Sequence, residues 1–130
     1  MSKEKSPASA TPKADPDRVS VIYFHGNKRC PTCLGIQRAV EETMESKFSQ
    51  ATDAGMLAFD VRNFEAPENA ALAERYQVAF STLIVATQAG DTVLSWKNAD
   101  KLWDYAHDPE ALKAYVTEQV STALKPLGVE

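Results

Sequence analysis

Cysteine is nearly absent from this chain: two residues in 130, at positions 30 and 33. A structural disulfide is a poor reading of the pair, because closing so short a loop removes little entropy from the unfolded chain. Long apolar runs are also missing, and none approaches the ~20 residues needed to span a bilayer. Residues 1–17 lack the apolar core of a secretory leader. The expected compartment therefore stays open: cytoplasmic by default, periplasmic or tethered if a signal or anchor has been removed. There is no basic excess. A net charge of -4 argues against nonspecific nucleic-acid binding, which needs a basic face. Internal repeats and Gly-rich nucleotide loops are absent too, so no organic cofactor is implied.

What is present reads as one globular domain. Apolar residues make up 44% and charged residues 25%, an ordinary balance for a soluble chain of single-domain length. Residues 1–17 (MSKEKSPASATPKADPD) hold three prolines and no large apolar residue beyond Met1. Such a segment cannot bury enough surface to offset its ordering entropy, and a disordered tail or tether is expected. The folded domain is placed at 18–126, with 127–130 as a short C-terminal tail.

Apolar residues run almost continuously from Arg18 to His25, which predicts a central strand buried on both faces. Pro31 then suits a first helical turn. Cys33, Ile36, Val40, Met44 and Phe48 recur at spacings of three and four, predicting a helix to about Gln50 with one buried stripe. A second strand is expected over Met56 to Arg62, with Leu57, Phe59 and Val61 on one side. Pro67 and Glu68 open a short helix to about Tyr76. Strands at Phe80 to Thr87 and Thr92 to Trp96 flank a Gly90-Asp91 turn and predict a hairpin. Asn98 is expected to cap a short helical piece holding Leu102 and Trp103, and both Trp96 and Trp103 are read as filling the core or its rim. Asp108 as N-cap and Pro109 as first residue mark the last helix. The order β-α-β-α-β-β-α predicts an α/β fold, a central mixed four-stranded sheet with helices on both faces. Strands separated by helices are expected to be parallel, and the hairpin to add an antiparallel edge.

Both cysteines fall at the start of the first long helix, straight after the first strand. A sulfur there meets unpaired backbone N–H groups and the positive end of the helix dipole, both of which favour thiolate. Lys28 and Arg29 add two cations just upstream. The apolar stripe turns Cys33 inward and Cys30 outward, so Cys30 is the expected nucleophile and Cys33 the resolving thiol. His25 can stabilise the Cys30 thiolate or relay protons, since its ordinary pKa is ~6.5; a water-exposed strand-end histidine is the plainer alternative. Metal binding is the competing reading of the pair. A structural zinc site takes four ligands, of which Cys30 and Cys33 supply half. His25 and His107 could complete a set, but the usual finger spacing is absent.

The strand-loop-Cys30-Pro31-Thr32-Cys33-helix unit resembles the thioredoxin superfamily over residues 18–126. The likeness continues in Phe59-Asp60-Val61, Tyr76-Gln77-Val78 and the Gly90-Asp91 hairpin. The string Tyr23-Phe24-His25-Gly26-Asn27-Lys28-Arg29-Cys30-Pro31-Thr32-Cys33 is also similar to a narrower bacterial group, the ArsF-like thioredoxin-like proteins. The resemblance implies a thioredoxin-like fold and thiol–disulfide exchange through a redox-active Cys30–Cys33 disulfide. Its expected partners are a disulfide-containing protein or small molecule and an electron donor or acceptor, with the domain acting as a monomer in cell redox homeostasis.

Three positions depart from the family pattern. Arg29 replaces the usual Trp, and Tyr23 stands where an acid often assists the resolving thiol. Ser81, followed by Thr82, occupies the place of the family's cis-proline. A non-proline cis bond costs ~2.5–4 kcal/mol, so a trans Phe80-Ser81 peptide is expected. That loss keeps two alternatives in play: a metal or iron–sulfur module using the same two thiolates, and a non-catalytic subunit that docks partners.

Overall fold

The computed structural model describes residues 16–128. The expected tails, apart from Pro16, Asp17, Leu127 and Gly128, lie outside the described residues. Asp17 is tied to the sheet: its N–H donates to the Gln88 carbonyl at 2.8 Å, and its carboxylate accepts from the Gly90 N–H.

Strand β1 (Arg18–His25) is followed by helix α1 (Pro31–Lys47), a short helix α2 (Ser49–Asp53) and strand β2 (Leu57–Asn63). A 3₁₀ turn (Pro67–Asn69) leads into helix α3 (Ala70–Arg75), and strands β3 (Thr82–Ala89) and β4 (Thr92–Asn98) form the hairpin. A 3₁₀ segment (Asp100–Tyr105) then precedes helix α4 (Pro109–Leu124). The sheet order is β2-β1-β3-β4.

Side chains alternate across the sheet because successive residues of a strand point to opposite faces. Val19, Val21 and Tyr23 of β1, with Leu83 and Val85 of β3, face one core together with Ile36, Val40 and Met44 of α1 and Leu112, Val116 and Val120 of α4. Ile22, Phe24, Ile84 and Ala86 face the other way, against Ala73 and Tyr76. Helices therefore cover both faces. Each fully buried aliphatic or Phe side chain contributes about 1.5–3 kcal/mol, so the larger core carries most of the apolar stabilisation.

One expectation is overturned. Strand β3, though separated from β2 by a helix, runs antiparallel to β1, while β1 and β2 are parallel. The reason is length. Helix α3 has six residues and spans about 9 Å at 1.5 Å per residue. The strands have seven and eight residues and run for about 23–27 Å at 3.3 Å each. So short a helix cannot carry the chain back to the start of the sheet. Strand β3 therefore leaves from the end where β2 finished, with Thr82 opposite Phe24 and His25 opposite Asn63.

Smaller differences have local causes. Helix α1 stops at Lys47, short of Gln50, because Phe48 leaves the helical region (φ -127°, ψ 16°). Its carbonyl is then reused by α2, accepting from the Thr52 N–H and hydroxyl, both at 3.0 Å. Residues 67–69 form a 3₁₀ turn before α3 begins. Helix α3 closes on Gln77 at φ 57°, the left-handed C-terminal conformation that a glycine more often supplies. Strand β3 begins at Thr82, which leaves Phe80 and Ser81 in the loop before it. Asn98 ends β4 and does not cap the next segment. Its side chain accepts from the Thr82 hydroxyl at 2.7 Å and donates to the Tyr76 carbonyl at 3.2 Å. Asp108 caps α4 as expected, accepting from the Ala111 N–H.

Asn98 therefore joins β3, β4 and the end of α3, and Thr82 is 1% exposed. Asn98→Ala removes the acceptor from a buried hydroxyl, an unmade bond that costs about 1–3 kcal/mol. The expected outcome in urea denaturation is a lower midpoint with an unchanged m-value.

Candidate active site

The loop between β1 and α1 is anchored from the end of β2. The Phe64 N–H donates to the His25 carbonyl at 2.7 Å, and the Asn27 N–H donates to Glu65 Oε2 at 2.8 Å. Asn63 Nδ2 donates to Asn27 Oδ1 at 2.7 Å. Gly26 is buried here, and a Cβ on it would stand 2.6 Å from Glu65 Oε2 and 3.2 Å from the Phe64 ring. The loop thus delivers Cys30 to the helix end in one place.

Cys30 is the N-cap of α1, with extended backbone (φ -79°, ψ 159°). The Cys33 N–H donates to Cys30 Sγ at 3.2 Å, and the Leu34 N–H donates to the Cys30 carbonyl at 2.9 Å. Pro31 occupies the first helical position, where its missing N–H leaves no bond unmade. Both cysteines are free thiols, half-buried. The Cys30 thiol is held below its ordinary acidity range chiefly by the hydrogen bond from the Cys33 side chain, then by the backbone N–H groups of Cys33 and Thr32. Burial pushes Cys33 the other way, helped by the proton it gives to Cys30, while the Ser81 hydroxyl partly offsets the rise. Two chemically identical groups are thereby pushed apart in acidity, Cys30 toward the thiolate and Cys33 toward the thiol.

Tyr23 lies beneath them, fully buried. Its phenol donates to the Cys33 carbonyl at 3.4 Å. Burial first, and the negative charge of a Cys33 thiolate second, push its pKa from 10.0 to about 12. The Ser81 side chain opposes the effect of burial on both Tyr23 and Cys33, lowering each pKa.

The structure does not bring all the expected supporting residues onto the sulfurs. Ser81 and Thr32 act on the pair, Ser81 through its side chain and Thr32 through its N–H. Thr82 directs its hydroxyl to Asn98. Arg29 is exposed and hydrogen-bonds Gln37, Lys28 is exposed, and neither is among the largest influences on Cys30. His25 places Nδ1 3.0 Å from the Gly26 carbonyl and is likewise not among those influences. Trp103 has a role the sequence did not reveal. Its indole N–H donates to the Ser81 carbonyl at 2.8 Å, holding the loop that faces Cys33. Twenty-two residues separate the two, so no local pattern announces the contact. Among the described residues, no group of three or more His, Cys, Asp and Glu gathers where it could hold a metal ion, and His25 and His107 do not join the cysteines in one.

The pair thus sits after the first strand of a β2-β1-β3-β4 sheet, on a helix that packs against that sheet with α4, and beside the loop that opens an antiparallel β3. The chain has a thioredoxin-like fold. No family model matches it, and no curated protein matches it. Among solved structures it is similar to a disulphide isomerase from Xylella fastidiosa (14% identity, 79% of each chain covered, TM-score 0.49). It is also similar to a mutant thioredoxin from Halobacterium salinarum (23% identity, 81% of this chain and 76% of that one, TM-score 0.46). A third similar structure is a thioredoxin from Thermus thermophilus (18% identity, 83% and 78%, TM-score 0.44).

Within the site the Cys33 side chain is the first influence lowering the Cys30 pKa. Cys33→Ala removes that donor and is expected to raise the Cys30 pKa. Ultraviolet thiolate absorbance across a pH titration checks this: the midpoint moves up, and the rate of Cys30 alkylation near neutrality falls with it.

Proposed function

We propose that the chain is a thiol–disulfide oxidoreductase, acting on disulfides through Cys30 and Cys33. The observation that carries this reading is the 3.2 Å hydrogen bond from the Cys33 N–H to Cys30 Sγ, which makes one sulfur both helix cap and stabilised anion. The neighbouring thiol it needs for the second step is one turn away.

In the reducing direction, the Cys30 thiolate attacks one sulfur of the substrate disulfide. A Cys30–substrate bond forms, the substrate S–S bond breaks, and the departing thiolate becomes the base that accepts the Cys33 proton. Cys33 then loses its proton and attacks Cys30 Sγ, releasing the second substrate thiol. Two electrons have passed to the substrate, and a Cys30–Cys33 disulfide remains for an external dithiol to reduce. The same steps in reverse oxidise a substrate dithiol. The couple is the cysteine pair itself.

Ser81 serves the second step. Cys33 resists ionisation because it is desolvated, and the Ser81 hydroxyl is a side-chain group that opposes this. Tyr23 stays neutral far above neutral pH and orients the helix end through the Cys33 carbonyl. Leu34 and Phe80 are 46% and 48% exposed; Leu34 follows the pair directly, and Phe80 precedes the serine that serves it. Apolar side chains left in water at such a site favour a polypeptide substrate over a small disulfide.

Turnover of insulin disulfides with a dithiol reductant tests the reading. The wild-type chain reduces them and Cys30→Ser does not, while Cys33→Ser accumulates a mixed disulfide with the substrate. A wild-type chain that cannot form an internal Cys30–Cys33 disulfide in oxidising buffer overturns the proposal.

Ser81→Ala separates the two steps. Attack by Cys30 is expected to keep its rate. Resolution slows roughly fivefold, the loss of one hydrogen bond worth about 1 kcal/mol, and its pH profile moves to higher pH because the Ser81 side chain lowers the Cys33 pKa. Rapid-quench trapping of the mixed disulfide at several pH values is the measurement.

A further inference from the structure

The flank of the site on the β3 side carries a feature that disulfide exchange does not use. Phe80, Asp100, Lys101, Trp103 and Asp104 line an open cleft of about 600 Å³. Its position is fixed by one contact: the Trp103 indole N–H donates to the Ser81 carbonyl at 2.8 Å, just before Thr82 pairs with Phe24 near the end of β1. The cleft therefore begins one residue away from the group that serves the resolving thiol.

The lining has a distinct chemistry. Phe80 is 48% exposed, and Trp103, half-buried against the main core with its indole N–H already bonded, lines the cleft beside it. Asp100 and Asp104 are exposed and carry two negative charges; Lys101 returns one, leaving the lining net negative by one. Aromatic faces beside carboxylates suit a planar cation. A guanidinium stacks on the rings and presents a fork of N–H donors to a carboxylate, while its alkyl stem covers apolar surface. The loop carrying exposed Lys28 and Arg29 is anchored to the end of β2 through Asn27 and the Glu65 carboxylate, so that flank is mixed in charge.

We propose that the cleft is a subsite for an arginine side chain of the substrate polypeptide, lying beside the disulfide presented to Cys30. The inference rests on the oxidoreductase reading and names the substrate it prefers: a cystine with a basic residue on the side that meets this cleft.

The test separates binding from chemistry. The full chain carrying Cys30→Ser and Cys33→Ser is titrated with three peptides that share one cystine and differ only in a flanking Arg, norleucine or Glu. Backbone amide shifts are followed by NMR. The Arg peptide is expected to bind roughly five- to tenfold more tightly than the Glu peptide, as one exposed cation–π contact plus one exposed ion pair allow. Shifts should concentrate at residue 80 and residues 100–104, and added salt should shrink the preference. The preference should shrink in Asp100→Asn with Asp104→Asn, which removes the ion pair and leaves the aromatic contact, and whose amide spectrum otherwise overlays the parent. Phe80→Ser should weaken the Arg and norleucine peptides, the Arg peptide more. Equal affinity for Arg and Glu, a preference undiminished by both Asn substitutions, or no binding by any peptide overturns the proposal. Because no turnover is read, a wild-type chain inactive on insulin refutes the oxidoreductase reading separately.

Discussion

A single sulfur does two jobs at the start of α1. The first turn of any helix leaves backbone N–H groups without intrahelical acceptors, and a capping side chain usually satisfies one of them. Here the cap is Cys30 Sγ, which accepts from the Cys33 N–H. A thiolate accepts such a bond better than a thiol does, so ionisation and capping reinforce one another. Acidity at Cys30 is then inseparable from helix formation at Pro31. Cys33 completes the arrangement by contributing both its N–H and its S–H to the same acceptor. It keeps its own proton because it is the more desolvated of the two. Environments that push two like groups apart in pKa assign them different parts in one reaction.

The reversed direction of β3 matters to chemistry as well as to topology. Because β3 is antiparallel to β1, its first residue Thr82 stands opposite Phe24, near the end of β1 that delivers the cysteines. Ser81, just before it, is thereby brought to Cys33. Were β3 parallel to β1, its first residue would lie at the other end of an eight-residue strand, about 26 Å away at 3.3 Å per residue. The six-residue helix that forbids a full return crossover is therefore what puts a hydroxyl on the resolving thiol. Trp103 and Asn98 hold that placement from the far side, one through the Ser81 carbonyl and the other through the Thr82 hydroxyl.

Much of this was legible in the chain because it is encoded locally. Pro31 after Cys30, the three-four spacing of Ile36, Val40, Met44 and Phe48, and Asp108-Pro109 each state a structure within a few residues. The direction of β3 is not local, although the shortness of the helical signal between Pro67 and Tyr76 held the clue: a parallel return needs a helix long enough to recross the sheet. The roles of Trp103 and Asn98 depend on partners 16 to 22 residues away and have no periodic signature. Lys28 and Arg29 illustrate the opposite error, in which adjacency in sequence is taken for contact. The Arg29 side chain runs along α1 to Gln37, so the acidity of Cys30 comes from hydrogen bonds rather than from the neighbouring cations.

Tyr23 sharpens what kind of site this is. A carboxylate beneath a resolving thiol would accept its proton; a phenol held near 12 cannot do so at neutral pH, since it is itself fully protonated there. Nor can Ser81, whose hydroxyl acts as a donor toward sulfur. The Ser81 side chain thus favours the Cys33 anion, and neither it nor Tyr23 receives the proton, which in the proposed exchange passes to solvent or to the departing substrate thiolate. In the proposed exchange a departing thiolate is generated beside Cys33 when Cys30 attacks, so the first step supplies the base for the second and the coupling needs no titrating carboxylate in the site. That proposed reaction favours substrates whose leaving sulfur stays close after the first bond breaks, as it does when both sulfurs belong to one folded polypeptide loop.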